Sequence, residues 1–306
     1  MKYDLVIIGG GPAGAAAAVY AARKKFKTAV ITDLFGGQSV VSDDIQNWIG
    51  EEHITGLGLA KKFESHVRAQ EGIEILTGEK ATQIGKTEEG FEVMMESGKK
   101  IETKTVVMAA GARRRKLGVP GEEKFAGKGV AYCATCDAPL FADKTVAVVG
   151  GGNAGLESAL DLESYAEKIY ILEKTKSLRG DEVTLEKVKN SPKMEVIFGA
   201  EVAEITGEKL VAGLKYKDEQ GNIKELKVEG VFVEIGSTPN SDLVRGLVEI
   251  NQRGEIMVDQ RTQAASRPGI WAAGDAADGL YKQNNVAVGD AIKAVLNIGD
   301  YLQKGK

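Results

Sequence analysis

Twice in this chain a hydrophobic run ends in the same glycine-rich turn: Gly9-Gly10-Gly11-Pro12-Ala13-Gly14 and, 141 residues later, Gly150-Gly151-Gly152-Asn153-Ala154-Gly155. Such turns are common, so the flanking residues decide what each one means. The first follows Tyr3-Asp4-Leu5-Val6-Ile7-Ile8, the largely apolar run of a strand buried on both faces. It opens a helix of very small residues, Ala13 to Ala18 and then Val19, Ala21 and Ala22, which lets helix and strand approach closely. A second strand, Thr28 to Thr32, ends at Asp33. In a strand–turn–helix–strand unit, backbone N–H groups and the helix N-terminus hold a pyrophosphate, while an acid about 20 residues on bonds the ribose. Gly9, Gly11, Pro12, Ala13 and Gly14 are therefore candidate cofactor contacts, with Asp33, 24 residues after Gly9, as the acid.

The second turn repeats the design. It is preceded by Thr145 to Val149 and followed by a helix from Asn153 to about Tyr165, with Leu156, Ala159 and Leu160 on its apolar face. The next strand, Ile169 to Leu172, ends at Glu173, 23 residues after Gly150. Gly150, Gly152, Asn153, Ala154, Gly155 and Glu173 are the matching candidates for a second dinucleotide. Two complete units leave little room for an ordinary turn in both places.

A length of 306 residues suffices for two domains and a substantial core. A net charge of −4 with acids and bases interspersed offers no nucleic-acid footprint and no membrane-binding stripe. No apolar run approaches the ~20 residues of a membrane span. The strand at Tyr3 begins too early for a signal peptide, so a cytoplasmic location is the expectation. The only two cysteines form Cys133-Ala134-Thr135-Cys136. In a reducing compartment such a pair reads as redox or metal chemistry rather than a staple. The only histidines, His53 and His66, are distant and supply no second ligand pair for zinc, so no metal site is expected.

Along the chain, residues 57 to 71 suggest an amphipathic helix, and 81 to 103 a small antiparallel meander followed by a buried strand, Val106 to Ala109. Another meander lies between Val202 and Val228, then a strand Val231 to Ile235. Arg113-Arg114-Arg115-Lys116 with Pro120-Gly121, and later Pro239-Asn240, mark crossings between domains. The basic run is either a solvated linker or part of a docking surface. The second domain, 117–242, is thus read as inserted into the first, which comprises 1–116 and 243–306. The tail carries Ile270-Trp271-Ala272-Ala273-Gly274-Asp275, a strand expected to join the N-terminal sheet, and an amphipathic helix from about Val286 to Leu302. Asp275 either serves a cofactor or caps a turn.

In their order, Gly9–Gly14, Gly36-Gly37-Gln38, Asn47-Trp48-Ile49-Gly50, Ala109-Ala110-Gly111-Ala112, Tyr132 to Asp137, Gly150–Gly155, and Gly274-Asp275 with Lys282-Gln283 resemble the low-molecular-weight thioredoxin reductase family across nearly the whole chain. The resemblance implies an α/β fold of two Rossmann-like, three-layer ββα dinucleotide-binding domains, the second inserted into the first. It implies FAD in the split domain, held by the first glycine turn, Asp33, Gly37, Gln38, Asn47, Ala110, Gly111, Gly274, Asp275, Lys282 and Gln283. It further implies a reduced nicotinamide nucleotide in the inserted domain and a homodimer. The resemblance also implies a large rotation of one domain against the other, which would alternately present nicotinamide and dithiol to the flavin. The larger glutathione-reductase-like architecture is excluded, because there the dithiol lies in the N-terminal FAD segment and a late histidine is catalytic.

By the same resemblance Cys136 faces the flavin and forms the transient adduct, and Cys133 exchanges with the partner's disulfide. Two cysteines three apart at a helix start can close a disulfide, and the helix N-terminus favours thiolate. Asp137 looks like the acid/base that manages the thiol proton, or else caps the short helix.

The nucleotide site departs from the family pattern. NADPH-dependent members carry His-Arg-Arg where this chain has Glu173-Lys174-Thr175, and only Arg179 remains of the basic set. A carboxylate there accepts from a ribose diol and repels a 2′-phosphate, so NADH is expected over NADPH, with Lys174 and Arg179 as further contacts. This region resembles the flavoprotein of alkyl hydroperoxide reductase systems. That flavoprotein carries an extra N-terminal dithiol domain, whereas this chain starts at the FAD strand, and is therefore expected to pass electrons to a separate thioredoxin- or glutaredoxin-like protein. A flavoprotein fed by another donor such as ferredoxin, and a flavin-binding regulatory protein without turnover, are the alternatives.

Overall fold

The structure, a computed structural model, describes residues 2–42 and 44–304. The chain divides into two compact units: Met1–Ser42, Trp48–Arg113 and Thr238–Lys306 make the first, and Asp43–Asn47 with Arg114–Ser237 the second.

The first unit begins with strand β1 (Lys2–Gly10), helix α1 (Pro12–Arg23) and β2 (Thr28–Phe35), followed by α2 (Gly56–Arg68) and β3 (Ile73–Thr77). Strands β4 (Ala81–Thr87), β5 (Gly90–Met95) and β6 (Lys100–Met108) follow. The region read as a meander strand plus a separate buried strand is one continuous β6. Its first half pairs antiparallel with β5, and most of its length pairs parallel with β1. Its threonines make this continuity tolerable: buried Thr103 donates its hydroxyl to Thr105 O and Thr105 donates to Asp4 O, so no polar group is orphaned. Helix α2 starts at Thr55, whose side chain accepts from Gly58 N.

The chain leaves through β7 (Ala112–Arg114) and builds the second unit from β8 (Val130–Ala131), α3 (Ala134–Asp137), β9 (Thr145–Val149), α4 (Asn153–Glu163), β10 (Lys168–Glu173), α5 (Glu182–Asn190) and β11 (Met194–Phe198). An antiparallel meander, β12 (Glu201–Gly207), β13 (Val211–Lys217) and β14 (Ile223–Leu226), precedes β15 (Gly230–Val233). The chain returns through β16 (Ser237–Pro239) and ends the first unit with β17 (Ile270–Ala272) and α6 (Asn284–Lys304).

Both crossings fall a few residues before the positions expected from sequence, and hydrogen bonds explain why. Arg114 lies 3.8 Å from Glu234, and Leu117 and Gly118 donate their amides to Glu122, which ties 114–118 to the second unit. Asn240 donates to Ala110 O and Gly111 O, and Ser241 to Gly254 O, which ties 240–241 to the first.

Among the described residues the sheet orders are parallel in design: β3-β2-β1-β6 with β17 beside β6, and β11-β10-β9-β15-β8. Alternation along the central strands sorts the cores. In β1, Leu5 and Ile7 face the alanine-rich α1 and α6, while Val6 and Ile8 face the other layer. In β9, Val146 and Val148 pack with α4, while Ala147 and Val149 meet the meander residues Val202 and Leu214. Each unit therefore has a helical layer, a central sheet with parallel strands and a second β layer.

Candidate active site

In the first unit the glycine turn closes tightly on its own backbone. A Cβ on Gly14 would stand 1.9 Å from Gly9 O, so α1 can begin this close to β1 only without a side chain there. Gly11 is the N-cap, offers no side-chain cap, and is followed by Pro12 at the first helical position. The first-turn amides are thus left for an anionic guest. Gly36 N donates to Gly10 O, which brings Gly37 against Gly11. Gln38 Nε2 donates to Asp275 Oδ2 at 3.4 Å, and Gly274 lies against Ala13 and Ala287, so the tail motif joins the same mouth. Asn240 holds Ala110 and Gly111 at the end of β6. Lys282 pairs with Glu255 at 2.9 Å and donates to Ala277 O, and Gln283 O accepts from Ala287 N in α6.

One predicted residue, the acid at the end of β2, does not face the turn. Asp33 is exposed and pairs with Lys80 at 3.2 Å. The strand-end residue that faces the turn is Thr32, because a Cβ on Gly10 would come within 2.6 Å of its Oγ1. Thr32 lies 23 residues after Gly9, the same offset as Glu173 from Gly150, and that duplicated spacing was the available signal. Asn47 falls in the short segment that groups with the second unit.

The second cradle repeats this geometry. A Cβ on Gly155 would lie 1.9 Å from Gly150 O, and Gly152 caps α4 without a side-chain bond. The turn lines a cleft of about 490 Å³ together with Glu173, Lys174, Arg179 and Glu234, a volume suited to a small-molecule guest. Glu173 is buried and fully engaged: Oε2 accepts from Gly151 N at 2.7 Å, and Oε1 accepts from both Thr175 N and Thr175 Oγ1 at 2.8 Å. Burial disfavours its charge, but these donors and the Arg179 guanidinium 3.7 Å away outweigh it and hold its carboxyl below the usual range. Arg179 itself is 70% exposed, and its amide donates to Gly151 O. Lys174 is exposed and paired with Glu201 at 2.6 Å.

Cys133 and Cys136 form a disulfide, with Cα atoms 5.3 Å apart, around the start of α3. Cys133 is the N-cap of α3 and both cysteines are half-buried. Asp137 closes α3 rather than opening it, and its side chain makes no cap hydrogen bond to the turn that follows. The dithiol turn is tethered on both sides to Glu122 and Asp161, residues that sequence patterns did not single out. Tyr132 donates its hydroxyl to buried Glu122 at 3.0 Å, and Thr135 donates to Asp161 on α4 at 2.7 Å. Beneath the turn lies Glu234, a buried carboxyl at the end of β15 that faces the amide of Ala134. Its signal was an acid closing the otherwise apolar run Val231-Phe232-Val233. Among the described residues no cluster of three or more His, Cys, Asp or Glu could hold a metal ion, and no helix is long and apolar enough to cross a membrane.

The chain is 44% identical over 305 residues to an alkyl hydroperoxide reductase component of Pseudomonas aeruginosa and 42% identical over 301 residues to a Bacillus subtilis protein named NADH dehydrogenase. Each match takes in 98% of this chain, which spans only 58% of the relative's length. Its fold is similar to that of the thioredoxin reductase from Streptococcus pyogenes, with a TM-score of 0.92, 34% identity and 99% of both chains covered. The thioredoxin reductase from Giardia duodenalis also gives a TM-score of 0.92, at 30% identity with 99% of both chains covered. Residues 3–291 match the family described as pyridine nucleotide-disulphide oxidoreductase. With paired glycine cradles and a Cys-x-x-Cys disulfide in place, the chain belongs to that family of oxidoreductases.

Proposed function

We propose that this chain is an FAD-dependent, NADH-preferring disulfide reductase that passes electrons through Cys133 and Cys136 to a thioredoxin- or glutaredoxin-like protein, and that it works as a cytoplasmic homodimer. The observation that carries the reading is the half-buried Cys133–Cys136 disulfide in the same unit as a nucleotide cradle whose strand-end residue is a carboxylate.

Both cradles suit dinucleotides, since each opens its helix at a glycine N-cap that puts no side-chain cap on the first-turn amides. The first unit is the proposed FAD domain. There Gly9–Gly14, Gly37, Gln38, Ala110, Gly111, Gly274 and Asp275 would line the flavin nucleotide, with Lys282 and Gln283 at its margin. The second unit would hold NADH through Gly150–Gly155, Glu173, Lys174 and Arg179. Bound FAD would accept two electrons from the nicotinamide and yield them to a disulfide. Within the chain, Cys133 attacks the partner's S–S bond, Cys136 resolves the mixed disulfide, and Asp137 manages the thiol proton. The curated relatives support a disulfide-reductase role, and the name NADH dehydrogenase leans toward NADH.

The test is turnover of the purified protein with NADH, NADPH and a panel of thioredoxin- and glutaredoxin-like disulfides. A higher kcat/KM for NADH and reduction of at least one panel member are expected. Flavin that NADH cannot bleach anaerobically, but a reduced ferredoxin can, contradicts the donor assignment. Bleaching without any disulfide turnover contradicts the reductase reading.

A further inference from the structure

Glu234 follows β15, whose sheet neighbours are β9, leading into the second glycine turn, and β8, leading into the dithiol turn. Its amide donates to Val149 O at 2.9 Å, and a Cβ on Gly150 would come within 2.4 Å of its carbonyl oxygen. The side chain is 5% exposed. The carboxyl faces three groups of the second unit: the Ala134 amide inside Cys-Ala-Thr-Cys, the buried Ser158 hydroxyl on α4, and Arg114 at 3.8 Å. This buried acid thus lies against the dithiol turn itself, and it also lines the cleft beside the second glycine turn.

We propose that Glu234 is a positioning residue that takes up a proton when the Cys133/Cys136 disulfide is reduced and releases it on reoxidation, thereby setting how that redox equilibrium depends on pH. This rests on the reading of the pair as redox-active. Reduction breaks the S–S bond and adds two electrons, supplied in the working protein by the reduced nicotinamide nucleotide. One proton goes to one sulfur, leaving a thiol and a thiolate, and the second converts the Glu234 carboxylate to the neutral acid. Reoxidation re-forms the S–S bond, sends two electrons to the partner disulfide and returns both protons. The driving force is local, because a thiolate beside Ala134 competes for its amide and repels a carboxylate across the same peptide.

In the disulfide state burial pushes the Glu234 carboxyl up to about 7, against the pull of Arg114 and the Ser158 and Ala134 donors, and Asp137 adds to the rise. Arg114 and Asp137 are the charged groups facing it. A new negative charge on sulfur raises it further, so proton uptake coupled to reduction falls on the alkaline side of about 7.

The experiment equilibrates the purified flavoprotein with mixtures of reduced and oxidised dithiothreitol from about pH 6 to 9 and counts cysteine thiols after acid quenching. Relative to Glu234→Gln, the wild-type equilibrium constant for reduction should fall by up to an additional tenfold per pH unit above about 7. A purely structural role would displace the variant's curve by a constant factor, and curves that are parallel throughout overturn the proposal. Ser158→Ala, which removes one donor from the ionised form, should move the wild-type break to higher pH, and an unmoved break also overturns it. No nucleotide or protein partner is required, so failure of partner turnover leaves the result intact. A pair that exchanges with dithiothreitol at no pH in either protein overturns the proposed function and this inference together.

Discussion

Two buried carboxylates, Glu173 and Glu234, are each tolerated for a different reason. Glu173 stays charged because the amides of Gly151 and Thr175 and the Thr175 hydroxyl occupy both its oxygens. It therefore orders the glycine turn and, on the proposed reading, offers a negative edge to a ribose. Glu173→Ala removes that edge and frees the exposed Arg179 guanidinium for a 2′-phosphate. The ratio of kcat/KM for NADH over NADPH should fall by roughly 10–100-fold, the scale of one or two charge-assisted hydrogen bonds. An unchanged ratio would remove Glu173 from nucleotide selection. At Glu234 burial outweighs the groups that favour its charge, and it behaves oppositely: its folded-state value of about 7 lies above the ordinary 4.5. The native state then binds this proton more tightly than the unfolded chain. Its stabilising contribution is complete below about 4.5, declines as pH rises and is lost above about 7. Denaturant unfolding of Glu234→Gln and wild type should show the variant gaining about 3 kcal/mol relative to wild type between roughly pH 4 and pH 8. A pH-independent difference contradicts this.

At the scale of elements, α1 is held by what it lacks. Ala17, Ala18 and Ala21 are completely buried against the sheet and α6, and Gly14 seats the helix on Gly9 O. Gly14→Ala places a methyl carbon where 1.9 Å separates it from a backbone oxygen, so helix and strand must part. The variant should lose about 1–3 kcal/mol, the usual scale of overpacking, and be purified without flavin absorbance. A yellow Gly14→Ala protein of wild-type stability contradicts the seating. This seating was legible in sequence, because short-range spacing writes it: apolar run, glycines, alanines. The parallel strands were legible for the same reason. Continuity through Thr103 and Thr105 was hidden, since two threonines read as a break until their hydroxyls find partners inside the sheet. The tethers of the dithiol turn were hidden too. Thr135 meets Asp161 across 26 residues, and no local pattern announces such a partner. Asp33 was preferred over Thr32 because an acid is the conspicuous residue, although the register of β1 against β2 turns Thr32 toward the glycines.

Over the whole molecule the same topological plan is used twice with different furniture in one slot. β17 lies parallel to β6 in the first unit, and β8 lies parallel to β15 in the second. Beyond β17 the chain delivers Gly274 and Asp275 to the mouth of the first cradle, whereas beyond β8 it delivers Cys133 and Cys136. An acid suited to a bound cofactor and a sulfur pair suited to an external disulfide thus occupy equivalent places. Under the proposed function this arrangement separates two events that one assay would blur, uptake of electrons from NADH and their delivery to a protein. Cys133→Ser should leave the first untouched, so anaerobic NADH still bleaches the flavin to the same end point. It should cut delivery roughly a thousandfold or more, because the attacking sulfur is gone while Cys136 alone cannot close a disulfide. Rapid-mixing absorbance reads the first event, and oxidation of NADH in the presence of a thioredoxin-like disulfide reads the second. A Cys133→Ser protein that still turns over the partner would mean that electrons leave by a route other than this pair.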